Sequence, residues 1–458
     1  MDPFVPQIYL DCIKGSYQNS PLREQSSFSI HCHHCTLMKV VFINTSDSSG
    51  GAAIACLRLQ KALEKHLGIQ GTILVQEKKM QNPAVISLSP TPLKKKLAWL
   101  RFVAERLLFL PYEKSKDIRF LFNRGMVGID ISSHPAVQNA DIIHLHWITF
   151  GFLSTHSLKK LFALGKPIVW TFHDMWPFTG GCHHSGDCDH YRQQCGNCKF
   201  VKKPGINDIS KMNWLAKRAA YGLLFSVGCS NWIARKASES SLMAGCYIDS
   251  IPNPIDINIF TPLPKCQAKL QLNIPIDKHY ILFASMRINA LKKGFSYFEE
   301  ALHIFKSSNK RAFDNIEIIV FGSGDYQVLN HLPFPVHNLG HLVSESQINA
   351  AYSAASVFVT PSLEENLPNT IMESLACGTP VVGFKVGGIP EMIEHKVNGY
   401  LSDYACPESL AEGISWILKN NSDGQLSHHA RQKVLECYSE EVVAAKYGSI
   451  YNHILAKR

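Results

Sequence analysis

From Met38 onward the chain alternates short apolar runs with stretches of helical period. Runs at 39–44, 71–75, 141–146, 167–172 and 225–229 are five or six residues long and mostly apolar. That is the signature of strands buried on both faces, as in parallel sheets, rather than of half-exposed strands that alternate. The opening "MKVVFINTSDSSGGAAIACLRLQKALEKHLG" predicts a buried strand, a glycine turn and an amphipathic helix. A Pro-rich passage, "IPNPIDINIFTPLPK" (251–265), interrupts the pattern, which then restarts with runs at 280–285, 316–321, 357–360 and 380–384. Strands separated by helical intervals predict α/β units with parallel sheets, here in two successive halves that bind a ligand at the carboxyl ends of the strands.

Residues 1–37 lack any such pattern. They are expected to be an extension outside the folded protein, with the natural start at Met38, and "HCHHC" at 31–35 is read as accidental. The expected division is an N-terminal domain at 38–260, a C-terminal domain at 261–435, and a closing helix at 436–458 that returns to the first domain.

At 458 residues the chain is too long for one ordinary core. No run is long and apolar enough for a membrane span, and the first residues lack a secretory pattern, so a cytoplasmic location is expected. The formal charge of +9 is spread along the chain, apart from Lys94-Lys95-Lys96, and no basic stripe interleaves with aromatics. Nucleic acid is therefore not an expected partner, whereas an anionic small substrate or an anionic membrane surface suits the surplus. One stretch, 92–112, places Leu93, Leu97, Leu100, Ala104 and Leu107 at helical spacing with Lys94, Arg101 and Glu105 on another side. Two readings fit it: a helix packed on the first domain, or a basic amphipathic helix in peripheral contact with the inner membrane.

The fourteen cysteines are expected as thiols or metal ligands, with Cys56, Cys229 and Cys377 in the core. Four of them crowd "GCHHSGDCDHYRQQCGNC": Cys182, Cys188, Cys195 and Cys198. A Cys-x-x-Cys pair with two further thiols suits a tetrahedral structural zinc in a loop too polar to pack on its own. Free thiols, or a disulfide or redox cluster, are the alternatives. Four thiolates would close the coordination sphere, which argues against catalytic zinc.

The stretch "PSLEENLPNTIMESLACGTPVV" (361–382) carries the densest chemistry. A strand ends at Thr360 and a helix is expected to start at Pro368 or Asn369, so Asn366, Leu367, Asn369 and Thr370 lie at a helix N-terminus suited to an anion. Glu365 and Glu373 flank that turn. Glu365, seven residues, Glu373 and the following "SLACGTPVV" resemble the signature of the retaining glycosyltransferases of family 4. That family has the GT-B fold, two Rossmann-like domains with parallel sheets facing across a cleft.

The resemblance runs from Met38 to about Tyr438 and implies roles residue by residue. Gly50 and Gly51 in "SDSSGGA" would approach a diphosphate, and Gly322 in "FGSGD" would lie near the nucleotide base. Arg287 and Lys293 in "ILFASMRINALKKGF" would hold the diphosphate. Glu373 would hold the ribose, and Glu365, Asn366 and Leu367 the donor sugar. His173 in "TFHDMWPF" would contact the sugar near its reacting carbon, with Asp174 beside it. His146 and Trp147 either line the acceptor side or form a packed corner.

"GFKVGGIPEMIEHKVNGYL" (383–401) matches the later Gly-Gly-x-Pro-Glu element. The cysteine block resembles a subgroup of bacterial exopolysaccharide transferases of the colanic-acid-cluster type. The implied activity is transfer of a hexose from a nucleotide-diphosphate sugar to a saccharide or lipid-linked acceptor. The configuration would be retained and no metal is required for transfer. Rival readings are a nucleotide-sugar hydrolase or epimerase of the same fold, or a zinc-stabilised binding module with a vestigial cleft.

Overall fold

The computed structural model describes residues 38–308 and 315–457. The extension expected at 1–37 lies outside the described residues. Among the described residues thirteen strands form two sheets. The first contains β1 (Lys39–Ser46), β2 (Gln70–Glu77), β3 (Val85–Ser87), β4 (Ile142–Leu145), β5 (Ile168–Phe172), β6 (Phe225–Gly228) and β7 (Tyr247–Ser250), in the order β3-β2-β1-β4-β5-β6-β7. The second contains β8 (His279–Arg287), β9 (Ile316–Ser323), β10 (Val336–Asn338), β11 (Val357–Thr360), β12 (Val381–Phe384) and β13 (Gly399–Ser402), in the order β10-β9-β8-β11-β12-β13. Every pairing is parallel. Both sheets are Rossmann-like, and the fold is GT-B.

Each sheet reverses its strand order once, between β1 and β4 and between β8 and β11. Neighbouring crossover helices lie on opposite faces at such a point, which leaves a crevice at the strand ends. The two crevices supply the candidate site. The central strands are apolar on both faces because both are covered: β4, β5, β6, β11 and β12 are buried along their whole length.

The last helix, Glu440–Ala456, packs on the first sheet's Gly51–Leu67 helix. It buries Tyr447, Tyr451 and Ile454 in the core that Phe42, Cys56 and Val227 also form. The outgoing and returning connections run side by side, where the Ile255 N–H donates to the Tyr438 carbonyl (2.9 Å). Among the described residues no helix is long and apolar enough to cross a membrane.

Candidate active site

β11 ends at Thr360, and the chain turns through 361–368 into the Asn369–Ala376 helix, with Pro368 as its N-cap. Glu365 sits in that turn and receives a charged hydrogen bond from Lys293 Nζ, at the close of the 3-10 turn after β8. Burial works to raise the Glu365 carboxyl, but the Lys293 and Lys292 charges and hydrogen bonds from Lys293 and Ser362 outweigh it and hold the group below its usual range. Arg287 ends β8, is exposed, and makes no ion pair among the described residues. The paired glycines of the later motif explain the close packing here. A Cβ at Gly387, whose φ is +58°, would stand 1.6 Å from the Glu365 carbonyl oxygen, and one at Gly388 2.1 Å from that of Asn366. Gly322, with φ +138°, lies just as tightly on Ser285 at the end of β8.

Glu373 lies inside the helix and is buried. It forms a 2.7 Å ion pair with Arg58, from the first domain's Gly51–Leu67 helix, and accepts a 3.4 Å bond from the Tyr352 hydroxyl. Burial raises its carboxyl more than Arg58 and Tyr352 lower it. Arg58 also stacks over Phe260 at 5.1 Å, and its Nη1 is buried without a hydrogen-bond partner among the described residues. The two helices meet at their N-termini. Gly50, with φ +90°, is the N-cap of the first-domain helix, and the Gly51 carbonyl accepts from Asn369 Nδ2 at 3.2 Å. Backbone N–H groups and helix dipoles from both domains thus converge where an anion would be favoured. Thr370 is half-buried beside Asn369, whereas the Leu367 side chain belongs to the second domain's core.

Sequence reasoning did not find Arg58. The available signal was a charge between Leu57 and Leu59 in the otherwise apolar first half of that helix, since a buried charge needs a partner.

On the first domain, β5 delivers His173 and Asp174. His173 Nε2 lies 2.9 Å from His146 Nδ1, with the rings stacked at 5.2 Å. Burial pushes the His173 imidazole down to about 4, against the pull of Asp174. Behind it, His144 bonds Tyr451 (2.6 Å) and Thr171 (2.8 Å), so the returning C-terminal helix fixes the histidine layer. The Asn366 side chain crosses the cleft. Its Nδ2 donates to the carbonyls of Phe172 (3.3 Å) and His173 (3.2 Å), and its Oδ1 accepts from Ser230. Glu391 does the same further out, accepting the N–H groups of Asn231 (2.8 Å) and Trp232 (2.7 Å) at the start of the Asn231–Ser238 helix. The cleft is closed on itself by these bonds.

Asp174 anchors the cysteine loop. Its carboxylate accepts from Trp147 Nε1 (2.8 Å), the Trp176 N–H (2.8 Å) and His183 Nδ1 (2.7 Å). Burial opposes its charge, but His183 and the Trp176 N–H bring it down to about 2. Nε2 of His183 is buried with no hydrogen-bond partner among the described residues.

Cys182, Cys188, Cys195 and Cys198 are free thiols that share a cavity of about 20 Å³ with His190. That space holds about one water. Burial, reinforced by neighbouring thiols, raises Cys182, Cys195 and Cys198 to about 12. Lys217 is buried beside them, donating to the carbonyls of Trp176 and Thr179, and burial lowers it to about 7. Among the described residues no three Cys, His, Asp or Glu side chains are placed to hold a metal ion. The thiols are gathered, therefore, but not converged as the expected zinc ligands.

Residues 49–258 match the family described as Glycosyltransferase Family 4, and residues 278–420 match Glycosyl transferases group 1. The chain belongs to glycosyltransferase family 4. An uncharacterized glycosyltransferase of Methanocaldococcus jannaschii is 27% identical over 362 residues, which cover 71% of this chain and 87% of that protein. A D-inositol 3-phosphate glycosyltransferase of an Arthrobacter species is 26% identical, over 57% of this chain and 58% of that one. Sucrose-phosphate synthase from Thermosynechococcus elongatus superposes with a TM-score of 0.64 at 18% identity, covering 92% of this chain and all of that one. The Anabaena protein HepE in complex with UDP-glucose gives 0.59 at 16%, covering 91% of this chain and all of that one.

In this family 4 glycosyltransferase the two motif glutamates hold opposite positions in the charge pattern. Glu365 is paired within its own domain, and Glu373 is paired across the cleft.

Proposed function

We propose that the chain transfers a hexose from a nucleotide-diphosphate sugar to a saccharide acceptor, lipid-linked, with retention of configuration, in bacterial exopolysaccharide, capsule or lipopolysaccharide synthesis. Residues 38–260 are assigned to the acceptor and 261–435 to the donor, with the enzyme at the cytoplasmic side of the membrane. The observation that carries the reading is the exposed, unpaired Arg287 beside the Lys293–Glu365 pair, at the end of the strand where the second sheet reverses.

A leaving diphosphate gains negative charge as the glycosidic bond breaks. Fixed cations at Arg287 and Lys293, with the two facing helix N-termini, stabilise that charge more in the transition state than in the ground state. Glu365 and His173 orient the sugar, and Glu373 takes the ribose once donor arrives. Glu365 is held by Lys293 rather than poised as a nucleophile. Retention then follows from departure and attack on one face, the leaving phosphate accepting the acceptor's hydroxyl proton. We assign His183, which Asp174 holds at the base of the cysteine loop, to the acceptor side.

Structural zinc remains our reading of that loop. Its four thiols share one ion-sized cavity, and Lys217 is buried beside them. Binding requires the thiols to close in. Metal analysis of protein purified without chelator is expected to give about one zinc per chain, and none refutes it.

The functional reading is tested by thermal stabilisation against a panel of nucleoside diphosphates and their sugars. One base is expected to raise the melting temperature of the wild type and not of Arg287→Ala. Folded protein that no nucleotide stabilises would refute the donor site.

A further inference from the structure

The Pro92–Phe109 helix faces the molecule with a mixed side rather than with its leucine stripe. Its buried residues are Ala98, Glu105 and Phe109. Glu105 points inward and accepts three backbone N–H groups, from Gly125 (2.7 Å), Met126 (3.0 Å) and Val127 (2.8 Å). The leucine stripe that the spacing marks as a packing face is turned outward instead: Leu93 is 68% exposed, Leu100 44% and Leu107 58%. Trp99, at 60%, and Leu108 flank it, and Leu110, Tyr112 and Phe120 extend the apolar surface past the helix.

We propose that this face docks the enzyme on an anionic lipid bilayer. Three observations select that occupant. The first is charge. Residues 92–126 hold nine Lys or Arg against three Asp or Glu, +6 of the chain's +9, and two of the three acids point inward or are engaged: Glu105 by backbone N–H groups, Glu113 by Arg106 and Arg119. A basic rim around exposed leucine and tryptophan fits an anionic headgroup layer over acyl chains. A second copy of this chain would set the same positive rim against itself.

The second is chemical type. The exposed side chains form a ridge on a helix rather than a groove, and a ridge inserts where a groove receives. The third is place. The helix backbone at Arg101 abuts Gly151, Phe102 meets Phe150 at 6.4 Å, Phe150 meets Trp147 at 5.5 Å, and Trp147 bonds Asp174. Two side chains therefore separate the ridge from the acceptor side of the cleft, so a bilayer under the ridge lies next to where an acceptor must enter.

Docking needs no sugar transfer, so its test is independent of the donor reading. The full chain is floated with vesicles of phosphatidylcholine, with and without phosphatidylglycerol. It is expected to bind the anionic vesicles, and less so as salt rises. Lys95→Gln with Lys96→Gln should weaken binding by about 25-fold, at roughly 5-fold per lysine. Leu100→Gln with Leu107→Gln should abolish flotation while melting like the wild type, since both side chains already face water. Vesicles should blue-shift tryptophan emission in the wild type and not in Trp99→Phe. No binding to anionic vesicles, or equal binding by the variants, would overturn the proposal. So would wild-type dimers in sedimentation that the leucine variants lose, which would assign the ridge to a second copy.

Discussion

Replacing Arg58 by methionine keeps the stem over Phe260 and deletes the guanidinium that crosses the cleft to Glu373. Both side chains are only 11% exposed, so the carboxylate is left in a site where little solvent compensates for the lost partner. Stranding one member of a buried ion pair costs about 3–5 kcal/mol. At about 2–4 °C per kcal/mol for a domain of this size, the melting temperature should fall by roughly 6–20 °C.

The cost carries a pH signature. Burial already holds the Glu373 carboxyl above its ordinary value, and losing Arg58 raises it further. The folded variant then binds a proton more tightly than the unfolded chain does. Its handicap is smallest at acid pH and grows as pH rises through the folded-state value. The assay is a set of melts of wild type and variant between pH 5 and 8.5. Adding Glu373→Gln removes the stranded charge and should recover more than half of the loss. A fall of less than about 3 °C, or a difference that does not change with pH, would refute the view that this pair is buried and ionised.

Other expectations follow from the same geometry. Arg287→Ala should lower turnover by about 10²–10³-fold, the range for one charge-stabilising group; a loss under about threefold in steady-state assays refutes that role. His173 and His144 are held neutral, at about 4 and about 3, by burial. An unfolded imidazole takes its proton near 6.5, so stability should fall as pH drops from about 6.5 toward 4, and a melting temperature flat across that window contradicts it. His183→Ala should raise the acceptor KM while leaving nucleotide-induced stabilisation of the fold intact. A loss of nucleotide binding would move His183 to the donor side.

Much of this fold was legible in the sequence because parallel strands covered on both faces spell largely apolar runs. All nine runs are strands, and Asn369 begins a helix. The strands that were missed are β3, β7, β10 and β13. They lie at or beside the sheet edges, are three or four residues long, and three of them are partly exposed, so no run marks them. The motif glutamates could be numbered from their spacing, but not their partners. Arg58 and Glu373 are 315 residues apart, and Asn366 reaches His173 across 193. The period of the Pro92–Phe109 helix was readable and its direction was not, because spacing gives a stripe without saying which side faces inward. The cysteine spacing suggested a closed ligand set, whereas the backbone gathers the thiols around a cavity without converging them.

The return of the last helix to the first sheet has a consequence for synthesis. Tyr447, Tyr451 and Ile454 form part of the first domain's interior, yet they leave the ribosome only after the second domain has done so. Between the end of the first domain and those tyrosines the whole second domain must be made. At ordinary translation rates that interval is roughly ten to forty seconds. Throughout it, the Gly51–Leu67 helix presents to solvent the apolar surface that the tyrosines will cover, and His144 lacks the hydroxyl that holds it. The two domains thus cannot mature in chain order: the histidine side of the cleft is completed only after the nucleotide side exists.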